Sequence, residues 1–167
     1  MTVQINGANG LTFPDTSSQA VASKVLQVVN NTVQQGSTTY FATSSTALVS
    51  TGFSVTITPK FATSRIFLLC NFTLETATTN TMVGLTIFKN NTTNLASGGT
   101  TGIMSALRNN AGVVDCGMAL TYMDSPATTS ATTYTVYMSS SNLTSSFGVN
   151  STGNANALSF TAIEIAP

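Results

Sequence analysis

The run Ser64 to Glu75, SRIFLLCNFTLE, constrains the fold of this chain more than any other segment. Its even positions, Ile66, Leu68, Cys70, Phe72 and Leu74, are all apolar. That is the period of two of a β-strand, not the 3.6 of a helix. Its odd positions, Arg65, Phe67, Leu69, Asn71, Thr73 and Glu75, are apolar only in the middle. A strand that is apolar on both faces is usually covered on both. In a one-domain sandwich, the first cover is the opposing sheet and the second is expected from another subunit. Phe67 and Leu69 are therefore candidate subunit-interface residues. The alternative is a loop of the same chain lying over them, as loops often do over small apolar clusters.

The same period recurs along the chain. GFSVTITP sets Phe53, Val55 and Ile57 on one face, and TMVGLTIFKN does so with Val83, Leu85 and Ile87. CGMALTYMDSP aligns Met118, Leu120 and Tyr122, and TTYTVYMSS aligns Tyr134, Val136 and Met138. KVLQVVN is a first candidate strand and ALSFTAIEIAP a last one, while residues 97–115 read as a Gly- and Asn-rich loop. SSQAVASKVLQVVNN is the nearest thing to a helix, but Val is a weak helix former. Short strands at a spacing of 8–12 residues, separated by turn residues, indicate a β-sandwich or barrel. About eight strands in this length suit a jelly roll. The expected fold is an all-β, jelly-roll-like sandwich of about eight antiparallel strands over residues 23–167.

Residues 1–22 are different. MTVQINGANGLTFPDTSSQAVA holds two Asn-Gly turns and a Pro-Asp turn. Its apolar residues Val3, Ile5, Leu11 and Phe13 are too few for a core. The segment is expected to be extended on its own and to dock on a partner chain, adding short strands or wedging apolar side chains into a groove. Ile5, Leu11, Phe13 and Pro14 are the candidate attachment residues.

Composition narrows the function. Of the 167 residues only 6% are charged, with five basic and five acidic side chains, against roughly 25% charged in an average domain. Lys24, Lys60, Arg65, Lys89 and Arg108 are too scattered to form the basic patch that nucleic-acid binding demands. They are equally unsuited to a cationic membrane helix, and no apolar run reaches membrane-spanning length. The surface is solvated instead by 31 Thr, 20 Ser and 15 Asn. Such a surface gives strand edges little protection against pairing, which is tolerable when they are buried in an oligomer. The formal net charge of zero points the same way.

The chain has no His, so a His general base is ruled out and His/Cys metal sites lack ligands. No cofactor or metal is expected. A glycosidase-type carboxylate pair would have to come from Asp15, Asp115, Asp124, Glu75 and Glu164. Each has a plainer reading in a turn, a loop or a strand end. An ion held by Asn or Asp oxygens at an oligomer axis finds no ligand spacing to support it. Cys70 falls on an apolar strand face and reads as a buried thiol. A Cys70–Cys116 bridge is the alternative, which sequence alone leaves open. Trp, the usual sugar platform, is absent, leaving Tyr40, Tyr122, Tyr134 and Tyr137. Residues 76–81, 97–112 and 142–156 are the candidate contact loops for a host-surface glycan or protein.

Four segments together, KVLQVVN, VTITPKFATSRIFLLCNF, YMDSPATTSATTYTVYM and the closing TAIEIAP, resemble a domain of tailed phages, especially those of marine and cyanobacterial hosts. That domain occurs in tail fibres and other virion structural proteins. GLTFPDTSSQAVAS looks like the linker that precedes it, with Thr16 where a Gly is usual. The resemblance spans roughly residues 10–167. It implies a non-enzymatic virion protein made in the host cytoplasm, with a β-sandwich head that forms a homotrimer. Residues 1–22 would attach it to major capsid or tail proteins. The short chain favours a capsid decoration or head fibre over a tail fibre or its host-binding tip.

Overall fold

The computed structural model describes residues 4–6, 10–12, 18–19, 24–35, 40–76, 80–96, 102–110, 112–141, 143–148 and 156–167. Three short strands come first: β1 (Gln4–Asn6), β2 (Gly10–Thr12) and β3 (Ser18–Gln19). Then follow β4 (Val25–Gln35), β5 (Phe41–Thr43), β6 (Val49–Ile57), β7 (Arg65–Thr76) and β8 (Thr81–Lys89). The rest are β9 (Thr93–Asn94), β10 (Ser105–Asn109), β11 (Val114–Asp124), β12 (Thr132–Ser140), β13 (Ser145–Phe147) and β14 (Asn156–Ile165). Among the described residues, β1 to β3 pair only with one another, with Ile5 opposite Leu11.

The body is two antiparallel sheets. One runs β10-β8-β12-β6, with β9 also on β8. In the other, β14 and β13 pair with successive stretches of β7, and β11 pairs with β7 along both stretches. β11 therefore occupies the opposite edge of β7, giving β11-β7-β14-β4, with β13 leading on to β5. Taken in chain order, the eight principal strands are β4, β6, β7, β8, β10, β11, β12 and β14. Numbered one to eight, they form sheets ordered 1-8-3-6 and 2-7-4-5. This is the double Greek-key order of a jelly roll. The protein is an all-β, jelly-roll-like sandwich.

The core lies between the inner faces. Phe53, Val55, Ile57, Ile66, Leu68, Leu74, Val83, Leu85, Ile87, Tyr134, Val136 and Met138 are buried as their alternation requires. Two features depart from expectation. The segment with a weak helical reading is strand: β4 continues through Asn30, Asn31 and Thr32 to Gln35 because Val29 and Val33 keep one face on the core. The expected 97–115 loop contains β10, whose Leu107 sits opposite Val83 and packs on the core.

Cys70 is buried, and desolvation pushes its thiol pKa far above the ordinary value. Cys116 stands opposite Leu74 and Cys70 opposite Leu120. That offset is about 13 Å along the strands, far beyond the reach of a disulfide. Both cysteines are free.

Two carboxylates at strand ends, Asp124 closing β11 and Glu164 near the end of β14, hold the near end of the sandwich together, where β4 begins and β14 finishes. Glu164 shares the inner face of β14 with Leu158, Phe160 and Ala162, and is fully buried. It lies shallow, beneath the turn between β6 and β7. Its Oε1 accepts the backbone N–H groups of Lys60 at 2.7 Å and Phe61 at 3.4 Å, and its Oε2 accepts Gln27 Nε2 at 2.6 Å. Burial raises its pKa, but the polar groups of Ser64, Gln27, Lys60 and Phe61 around it outweigh this and hold it below the usual range. Ser64 Oγ is buried in this shell without a hydrogen bond.

Asp124 accepts side chains: Tyr134 Oη donates to Oδ2 at 2.7 Å, and Lys89 Nζ lies 3.2 Å from the carboxylate. Burial, then this hydrogen bond and the carboxylate charge, raise the pKa of Tyr134 well above the ordinary phenol value.

Candidate assembly face

The register of β4, β14, β7 and β11 sets the outward side chains in rows. Val28, Ile163, Phe67 and Met123 are directly opposite one another across all four strands. The next row is Asn30, Thr161, Leu69 and Thr121, and the one after it is Thr32, Ser159, Asn71 and Ala119. One end of this outer face is thus a four-residue apolar bar, extended by Leu69, Ile165 and Val25. Beyond it the face turns polar and is tied laterally by Asn30 Nδ2, which donates to Thr161 Oγ1 at 2.7 Å and Ser159 Oγ at 3.2 Å.

The bar is exposed where its neighbours are fewest. Val28 is 57% exposed and Val25 47%, whereas Phe67, Leu69, Met123 and Ile163 are half-buried by their strand neighbours. Side chains of this size in water leave substantial apolar area unburied, at about 25 cal/mol per Å². The bar lies at the near end, beside Val25, where the head begins after residues 1–22.

The sequence singled out Phe67 and Leu69 as outward apolar side chains but not Val28, Met123 and Ile163, which share their face. The parity signal was present in each strand, but only the register shows that the three fall into one row with Phe67. Of the candidate attachment residues, Ile5 and Leu11 lie in the backbone of β1 and β2. Phe13 and Pro14 lie outside the described residues.

Among the described residues, the one acidic pair on this face is Glu75 opposite Asp115 in the far part of β7 and β11. Burial, then the charge and hydrogen bond of Asp115, raise the pKa of Glu75. The pair stands on adjacent strands of an open face rather than across a cleft. Asp124 and Glu164 are committed to their networks, and Asp15 lies outside the described residues. Among the described residues no group of three or more His, Cys, Asp or Glu is placed to hold a metal.

The tyrosines are engaged as well. Tyr40 packs edge-on against Phe53 at 5.7 Å and Phe147 at 6.2 Å. Tyr137 stacks on Phe88 at 4.0 Å on the outer face of the other sheet. Part of that face is covered by the chain itself. Asn94 bonds Thr86 and the Gly102 carbonyl, and Ile103 closes over Gly84.

No family model matches the chain, and no curated protein is similar to it. Solved structures of infectious bursal disease virus are similar to it at low identity. The particle of the Gx strain shares 14% identity over 83% of this chain and 37% of that chain, with a TM-score of 0.44. The derived T=1 particle shares 13% over 98% and 44%, with a TM-score of 0.45. The VP2 subviral particle shares 12% over 93% and 45%, with a TM-score of 0.42. This chain spans less than half the length of each, and none of the three is from a tailed phage. The jelly-roll assignment rests on the strand order given above.

Proposed function

We propose that this chain is a non-enzymatic structural protein of a virion, a capsid decoration or head fibre of tailed-phage type. In this reading residues 1–22 attach it to the particle and its sandwich heads associate as a homotrimer. The observation that carries it is the apolar bar Val28–Ile163–Phe67–Met123 at the near end of the head. Copies that meet through this bar bring their attachment segments out side by side, as a peg with a cluster of heads requires. The resemblance of the four sequence segments to phage virion domains supports the same reading. So does the near absence of surface charge, because such a surface is safer inside an assembly than free in solution. Fold alone would not carry it, since jelly rolls also serve as lectins and cupins.

A second reading, a tail-fibre tip that touches the host, is favoured by one observation. The far end of the sandwich, away from the start of β4, presents Val113 at 62% and Leu143 at 49% exposure. Val113 adjoins one candidate contact loop, 97–112, and Leu143 lies in another, 142–156. They would give a glycan or protein receptor an apolar foothold.

Light scattering on the purified chain tests the oligomer. The expected mass is three times the 17.2 kDa of one chain. Phe67→Asp combined with Val28→Asp is expected to give a folded monomer. A wild-type monomer, or a trimer indifferent to both substitutions, would remove the apolar bar from the account.

A further inference from the structure

The two open sides of the sandwich are built differently. On one side the edge strands β4 and β6 are bridged. Gln27 Nε2 donates to the Thr58 carbonyl at 2.7 Å, Asn31 Nδ2 to the Ser54 carbonyl at 2.8 Å, and Lys60 Nζ to the Leu26 carbonyl at 3.1 Å. On the other side the edge strands are β10 and β11. Among the described residues, β7 is the only strand paired with β11.

β11 has few of the usual defences of an edge, its only charges being Asp115 and Asp124 near its two ends. It runs eleven residues, VDCGMALTYMD, without Pro, Lys or Arg. Its register against β7 is unbroken, so no bulge twists it away. Its inward-parity side chains Cys116, Met118 and Tyr122 remain half-buried beside the open side, although Leu120 among them is 2% exposed.

We infer that β11 is an assembly edge that pairs antiparallel with β11 of a second copy about Ala119, joining two sheets into one. The sequence of the strand is self-complementary about that residue. Ala119 meets its own copy, Gly117 meets the second copy's Thr121, and Asp115 meets its Met123. On the inner face Met118 meets the second copy's Leu120, and Cys116 meets its Tyr122. No like charges face one another, and on the inner face the half-buried Cys116, Met118 and Tyr122 each gain an apolar neighbour. Main-chain hydrogen bonds would supply the affinity and this alternation the register. The contact is isologous and shares only Met123 with the apolar bar. In a shell of trimers it would link neighbouring trimers.

Cross-linking tests this directly. In a two-fold antiparallel pair, opposed Cα atoms are about 4.5–5.5 Å apart, within disulfide range. Ala119→Cys in a Cys116→Ser background is expected to oxidise to a covalent dimer at least tenfold more completely than Thr56→Cys, an exposed position on β6. Ala119→Lys would set two ammonium groups against each other at the axis. Sedimentation should then show at least tenfold weaker association with an unchanged far-ultraviolet spectrum. Phe67→Asp should leave the Ala119→Cys cross-link intact, which separates failure of the edge from failure of the bar. Cross-linking no greater than in the Thr56→Cys control, or association unaffected by Ala119→Lys, would overturn the inference.

Discussion

Removing the Glu164 carboxylate should destabilise this fold substantially, and the cost can be worked from its contacts. Glu164→Ala takes the acceptor from the Lys60 N–H, the weaker Phe61 bond and Gln27 Nε2. Gln27 keeps the Thr58 carbonyl as a second partner, so its loss is partial. A hydrogen bond to a charged acceptor contributes about 1.5–3 kcal/mol, and a buried donor left unpaired costs about 1–3 kcal/mol. Desolvation of the carboxylate offsets part of this. The net expectation is about 3 kcal/mol. For a chain of this length that lowers the thermal midpoint by about 6–12 °C. Glu164→Gln keeps the shape and one acceptor oxygen but turns an amide donor toward Gln27, so about half that loss is expected. The pH dependence supplies an independent check. The folded pKa is depressed, so the stabilisation is complete above the unfolded value of about 4.3. It is lost as pH falls through the lower folded value. The gap between wild type and Glu164→Gln in urea titrations should therefore be full at pH 6 and close toward pH 3. An Ala variant within about 2 °C of wild type, or a gap independent of pH, would refute the reasoning.

Asp124→Ala strands Lys89 and the buried Tyr134 hydroxyl, and should cost about 3 kcal/mol in urea titration. Tyr134→Phe should cost about 1 kcal/mol, and the double variant should fall short of the sum because the groups form one network. At Gly148 the backbone φ is +66°, and an added Cβ would lie 2.7 Å from Leu158 Cδ2 and 2.8 Å from Tyr40 Cβ. Gly148→Ala should therefore destabilise by about 2–4 kcal/mol, read as a lowered thermal midpoint. Glu75→Gln should stabilise slightly, by about 0.3 kcal/mol, because it removes a like-charge cross-strand pair that solvent already screens. The folded pKa of Glu75 is raised, so its charge costs nothing at low pH and the penalty appears as pH rises through that value. The gain from Gln should thus be absent at pH 3 and present at pH 7.

Much of the fold was legible because its core strands alternate cleanly. Phe53 to Ile57, Ile66 to Leu74, Val83 to Ile87 and Tyr134 to Met138 each show the period that burial of one face imposes. β4 was only half legible, because the polar run NNTVQQ hides the fact that Val29 and Val33 still point inward. β10 was hidden because five residues among Gly and Asn carry too little period. Pairings such as β14 with β4, or β11 with β7, join distant segments and leave no local trace. The apolar bar of the outer face was legible in part for the same reason. Phe67 and Leu69 betrayed themselves by being apolar on the wrong parity within one strand. Val28, Ile163 and Met123 became a row only through long-range register. Glu164 was misread because a lone carboxylate near a strand end usually faces water. Its parity with Phe160 and Ala162 was the overlooked signal.

The central claim is that this jelly roll is a building part of a virion. The most direct measurement is gold labelling of the head domain on intact particles of the encoding virus, read by electron microscopy. The account predicts gold distributed over the capsid shell. Gold confined to the tail would replace the decoration reading with the fibre-tip reading, and particles bearing no gold would contradict the virion assignment itself.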